Sequence, residues 1–105
     1  MTDTHADLGQ AGVADLHTVL TALADPVRLE MARRLYNADD LLACVQLYDT
    51  ITKATASHHF RILREAGLIE RIPSGQAVHF ALRRPDVEAA YPGLLGAVLA
   101  AANAR

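Results

Sequence analysis

The sequence predicts a mainly α-helical domain that carries a small β-hairpin, and three features of its 105 residues point there. Apolar residues recur at three- and four-residue spacing from Val13 to Gly67, the period of a helix face. After Gly67 the period shortens to two, with Val78, Phe80 and Leu82 alternating behind the turn-forming run Pro73-Ser74-Gly75-Gln76. The chain is 51% apolar but only 5% aromatic, and its core of Leu, Val and Ala favours helices over sheets.

The elements follow in order. Residues 1–12 are polar, contain Gly9 and Gly12 and have no apolar period. They are expected to form a flexible tail ahead of one domain at 13–105. Val13, Leu16, Leu20 and Leu23 mark the apolar face of a first helix. Asp25-Pro26 supplies an N-cap and a proline at the first helical position, where a missing N–H costs nothing. The second helix runs to about Tyr36, with Val27, Met31 and Leu35 inward and Arg28, Glu30 and Arg34 outward. Asn37 and Ala38 break it, and Asp39 or Asp40 is expected to start a third helix through Leu41, Leu42, Val45 and Tyr48. Thr52 is the next N-cap, and its helix stops at Gly67, a residue suited to a left-handed C-terminal position. Leu68–Ile72 and Ala77–Leu82 make the hairpin. Pro85 opens a short helical turn to Ala90, and Pro92 restarts a final helix whose apolar positions are Leu94, Leu95, Val98 and Leu99.

Several function classes fall away. The longest apolar stretch, Gly93 to Ala102, is about half the ~20 residues of a membrane span. The N-terminus has neither a basic start nor an apolar core, so export is not expected and a cytoplasmic location is. The single cysteine, Cys44, suits a reducing compartment. No glycine-rich phosphate loop or paired acid–base constellation stands out, so the chain does not read as an enzyme.

The formal net charge is −2, yet it is unevenly spread. Residues 1–52 sum to −5, residues 53–84 to +4 and residues 85–105 to −1. A phosphate-binding surface needs local charge of one sign rather than a basic whole. Helix, turn, helix and hairpin together describe a winged helix–turn–helix, and the helix Thr52–Ala66 falls in the positive third. On its wheel Ala56, Phe60, Leu63 and Gly67 share one side, while Ala54, Thr55, His58 and Arg61 share the other. Recognition helices place their N-terminal end in the major groove of double-stranded DNA. There Arg61 suits guanine or phosphate, Thr55 and Ser57 suit base edges or phosphates, and Ala54 suits a thymine methyl. His58 can donate to an acceptor in either charge state. Thr52 and Lys53 sit where unpaired helix N–H groups favour a phosphate. Arg71 and Gln76 are the wing's candidate contacts, with Arg83 and Arg84 adding charge beside it. His59 lies at the edge of the packed face and reads as a hydrogen-bonded structural residue.

Leu23-Ala24-Asp25-Pro26-Val27-Arg28-Leu29, the run Ala56 to Ile69 and the run Gly75 to Leu82 resemble the ArsR/SmtB family of bacterial regulators over roughly residues 15–100. The resemblance implies a homodimeric repressor that binds an inverted-repeat operator, its first and last helices packed across the two-fold axis. Leu16, Leu20, Leu94, Leu95, Val98 and Leu99 would then supply the seam. Two departures matter. The family's wing carries a basic residue where Gln76 stands here, and the last helix lacks the His, Asp and Glu of the family's metal sites. The third helix offers one thiol, Cys44, where thiophilic metals need at least two. No cofactor or metal is therefore expected, and the effector is left unnamed. Two alternatives remain: a metal- or thiol-responsive repressor using Cys44 and histidines such as His5 and His17, and a winged-helix adaptor that contacts only proteins.

Overall fold

A computed structural model describes residues 12–104, so the expected tail lies outside the described residues apart from Gly12. The elements are α1 (Leu16–Leu23), α2 (Pro26–Ala38), β1 (Leu42–Ala43), a 3-10 turn (Cys44–Leu47), α3 (Lys53–Glu65), β2 (Ile69–Ser74), β3 (Ala77–Leu82), α4 (Arg84–Ala90) and α5 (Leu94–Asn103). Helices predominate, as the composition predicts, and the strands form one antiparallel sheet in the order β1-β3-β2.

The first helix begins later than its apolar spacing suggests. The Asp15 carboxylate accepts from the Thr18 N–H at 2.9 Å, which sets the N-cap there. Val13 and Ala14 are buried ahead of it, and the Ala14 N–H donates to the Ala66 carbonyl at 2.9 Å. Val13 therefore does not set the helix phase. Val19, Ala22 and Leu23 face inward instead, leaving Leu16 and Leu20 at 45% and 43% exposure.

The α2 cap is as expected: Asp25 accepts from the Val27 and Arg28 N–H groups at 2.8 and 3.1 Å. The third helix is not. Asp39 takes a left-handed conformation (φ +54°) that ends α2, and the chain then extends so that Leu42 and Ala43 pair with Phe80 and His79. Only Cys44–Leu47 are left before the extended Tyr48, enough for a single 3-10 turn. The hairpin thereby gains a short third strand. Its own register runs from Ile69 opposite Leu82 to Ser74 opposite Ala77. The connection is thus the two residues Gly75-Gln76, with Pro73 and Ser74 inside the strand.

Met31, Leu35, Leu47, Leu63, Leu68, Val87 and Leu99 are fully buried at the centre. Phe60 of α3 stacks on Phe80 of β3 with ring centroids 4.4 Å apart, which fixes the helix against the sheet. Among the described residues no helix is long and apolar enough to cross a membrane.

Candidate nucleic-acid interface

Helix α3 buries Ala56, Phe60 and Leu63, which turns its opposite side to solvent. Thr52, Lys53, Ala54, Thr55, Ser57, His58 and Arg61 are all exposed. The Thr52 hydroxyl oxygen accepts from the Thr55 N–H at 3.1 Å and donates its proton toward Thr55 Oγ1 at 3.0 Å. Capping is thus its first task, and any ligand contact comes on top of it. Arg61 Nη2 lies 3.4 Å from His58 Nδ1, so these two side chains act as neighbours on the outer face. The only acid of the helix, Glu65, sits at its C-terminal end, about 18 Å of helix rise from Lys53.

The wing stands beside this helix. Arg71 is opposite Phe80 in the ladder, so both share the sheet face that packs on α3. Arg71 is exposed at the edge of that face, and Gln76 is exposed at the hairpin tip.

The cations divide into two sets. Arg33 and Arg34 pair with Glu30 at 2.8 Å each, and Arg34 also pairs with Asp49. The hydrogen-bonded Arg33, then Arg34, hold the Glu30 carboxyl down to about 2 against the opposing effect of burial. Arg83 pairs with Asp86 at 3.0 Å, and Arg84 stacks on Tyr36 at 4.0 Å and pairs with Asp39 at 3.3 Å. Arg83 and Arg84 therefore serve the protomer's own packing, against the expectation that they supply wing charge. Lys53, Arg61, Arg64 and Arg71 are exposed with no acidic partner within ion-pair distance among the described residues. All four belong to α3 and the wing.

Arg28 departs from its helical-wheel position. Its Nε donates to the Ala22 carbonyl at 2.6 Å, its Nη2 to the Thr21 carbonyl at 3.4 Å, and its Nη1 lies 3.1 Å from His59 Nδ1. No local pattern announces this contact, because its partners come from α1 and α3.

The expected dimer seam also divides. Leu16 and Leu20 are open on α1, and Leu94 and Val98 are half-buried on α5. Leu95 and Leu99, at 3% and 0% exposure, are turned into the protomer's own core and have no area to offer a partner. Cys44 is half-buried and lines a cavity of about 140 Å³ with Tyr48, Lys53 and Ser57. Among the described residues no three His, Cys, Asp or Glu side chains gather in a way that can hold a metal ion.

Comparison with known proteins fits this geometry. A family model described as a helix-turn-helix domain matches residues 23–72. An uncharacterised HTH-type transcriptional regulator of Bacillus subtilis, YceK, is 35% identical over 79 residues, covering 73% of this chain and 79% of the relative. A homologue of the cadmium resistance regulatory protein CadC from Staphylococcus aureus is 32% identical over 72% of this chain and 64% of its own length. The crystal structure of the transcriptional repressor BigR from Xylella fastidiosa superposes with a TM-score of 0.62 at 25% identity, covering 79% of this chain and 81% of that one. The homodimeric winged helix-turn-helix DNA-binding domain of Mb0332 from Mycobacterium bovis, a possible ArsR-family regulator, gives 0.66 at 24% identity, covering 84% and 78%.

Proposed function

Because this chain belongs to the ArsR/SmtB family of winged helix–turn–helix transcriptional regulators, we propose that it is a homodimeric repressor that reads an inverted-repeat DNA operator with α3 and the wing. One observation carries the reading: among the described residues the exposed cations without acidic partners gather on α3 and β2, the two elements a winged helix presents to DNA. Arg61 reads a base edge or grips a phosphate. Thr55, Ser57 and His58 hydrogen-bond bases or phosphates, and Ala54 packs against a thymine methyl. Thr52 and Lys53 bind phosphate at the helix start, and Arg71 and Gln76 contact the backbone from the wing. A second copy covers Leu16 and Leu20, together with Leu94 and Val98, and places two α3 helices about one DNA turn (~34 Å) apart. The domain that does this spans residues 13–105, and neither catalysis nor a resident metal enters the mechanism.

The test is fluorescence anisotropy with DNA selected from a random-sequence pool by the purified protein. It runs in chelator and reductant at two salt concentrations, then with zinc, cadmium, arsenite and peroxide. Tight, salt-sensitive binding that ignores the additives supports the reading. Release by a metal or oxidant assigns the sensing role to Cys44 and the histidines instead, and failure to select any DNA favours a protein-binding adaptor.

A further inference from the structure

Helix α3 is held from behind by a polar contact as well as by its apolar face. His59 lies on its flank with a side chain only 12% exposed. Its Nδ1 meets the same Arg28 guanidinium that closes over the Thr21 and Ala22 carbonyls at the end of α1. A guanidinium has donors only, so Nδ1 is the acceptor here and the ring proton sits on Nε2. One charged group thereby ties the α1–α2 corner to the helix that meets DNA.

We infer that His59 is a positioning residue for operator recognition, setting the angle of α3 against the α1–α2 corner through its unprotonated Nδ1. The inference rests on the DNA-binding reading above and goes beyond it, since His59 itself touches no DNA. Its reach comes from the dimer. The corner carries the exposed Leu16 and Leu20 face that a second copy covers, so the Arg28–His59 bond fixes how the two α3 helices are spaced. The acid facing the ring is Asp25, whose Oδ1 is 4.0 Å from Nδ1 and already accepts from the Val27 and Arg28 N–H groups. Among the described residues the ring also lies beside His58 on α3 itself, with ring centroids 5.6 Å apart.

Phosphate attraction sets non-specific binding, whereas base reading depends on orientation. The effect is therefore read in the ratio of affinities for selected operator DNA and for scrambled DNA of the same length. His59→Leu is expected to lower that ratio by about tenfold, the range a hydrogen bond to a charged group supports. His59→Asn, which keeps an acceptor near the Nδ1 position, is expected to retain most of it. His59→Gln, whose amide falls at the Nε2 position and not the Nδ1 position, is expected to lose the ratio as His59→Leu does. A wild-type ratio for His59→Leu or His59→Gln overturns the inference. The contrast between His59→Asn and His59→Gln still decides if His59→Leu fails to fold. Failure of the wild-type protein to select DNA removes the DNA-binding reading, and the inference with it. Selection followed by indifference to His59 removes the inference alone.

Discussion

Replacing Gly67 with alanine tests how the N-terminal segment, α3 and the wing are locked together. Gly67 joins α3 to β2 with φ +81°, and a Cβ built there would lie 2.3 Å from the Gly12 carbonyl oxygen and 2.6 Å from the Val13 Cα. Both neighbours are backbone, so no rotamer change relieves the clash. The left-handed conformation alone costs an L-residue about 1–2 kcal/mol. Relief of the contact requires residues 12–14 to lift away. That exposes Val13, which is 1% exposed, and strains the Ala14–Ala66 and Tyr91–Ala14 hydrogen bonds at 2.9 and 2.7 Å. A valine's burial is worth ~1.5–3 kcal/mol and each bond ~1 kcal/mol, so with partial loss Gly67→Ala should cost about 3–5 kcal/mol. Gly75→Ala is the control, because Gly75 has φ +63° but its Cβ would meet nothing within 4 Å. It should cost ~1 kcal/mol, the conformational part alone. Urea unfolding with an unchanged m-value measures both. Equal losses for the two variants would refute the steric argument.

Three further outcomes are expected. Arg61→Ala should weaken operator binding by at least ~1 kcal/mol and relax base preference without moving the thermal midpoint, and unchanged affinity and specificity in anisotropy would remove it from the interface. Glu30 titrates near 2 in the folded chain against an ordinary 4.5, so its contribution to stability is complete above pH 4.5 and fades as pH falls toward 2. Its 37% exposure screens the pair, so denaturation midpoints at pH 7 and pH 3 should differ modestly, and by less in Glu30→Gln. Leu20→Asp should leave the protomer folded but monomeric by sedimentation, whereas Leu99→Ala should destabilise it by ~2–5 kcal/mol; the reverse pattern would place the seam on the wrong residues.

The elements legible in the sequence are those with local causes. Asp25-Pro26, Thr52 and Gly67 fix the ends of α2 and α3 because caps and left-handed positions are chemistry within a few residues. The α3 outer face was legible too, since Ala56, Phe60 and Leu63 leave it no other orientation. What escaped was set by partners far along the chain. Leu41 to Tyr48 has helical apolar spacing, yet Leu42 and Ala43 are drawn into the sheet by β3, nearly forty residues on. The stripe on α5 has the same limit. Periodicity shows that Leu94, Leu95, Val98 and Leu99 share one face, but it does not divide that face between a protomer's own core and a second copy. Packing against the core claims Leu95 and Leu99.

The charge pattern carries a related lesson about why a chain of net charge −2 can present a DNA-binding surface. Net charge counts every arginine alike, whereas a phosphate responds to those whose field is not already cancelled within a few ångströms. Arg33, Arg34, Arg83 and Arg84 each have a carboxylate at 2.8–3.3 Å or closer, supplied by Glu30, Asp49, Asp86 and Asp39. At about 8 Å, one screening length in physiological salt, each pair is nearly neutral to an approaching phosphate. Lys53, Arg61, Arg64 and Arg71 are not so compensated among the described residues. The field that steers DNA is therefore set by pairing, which the fold determines, and it points outward from α3 and the wing.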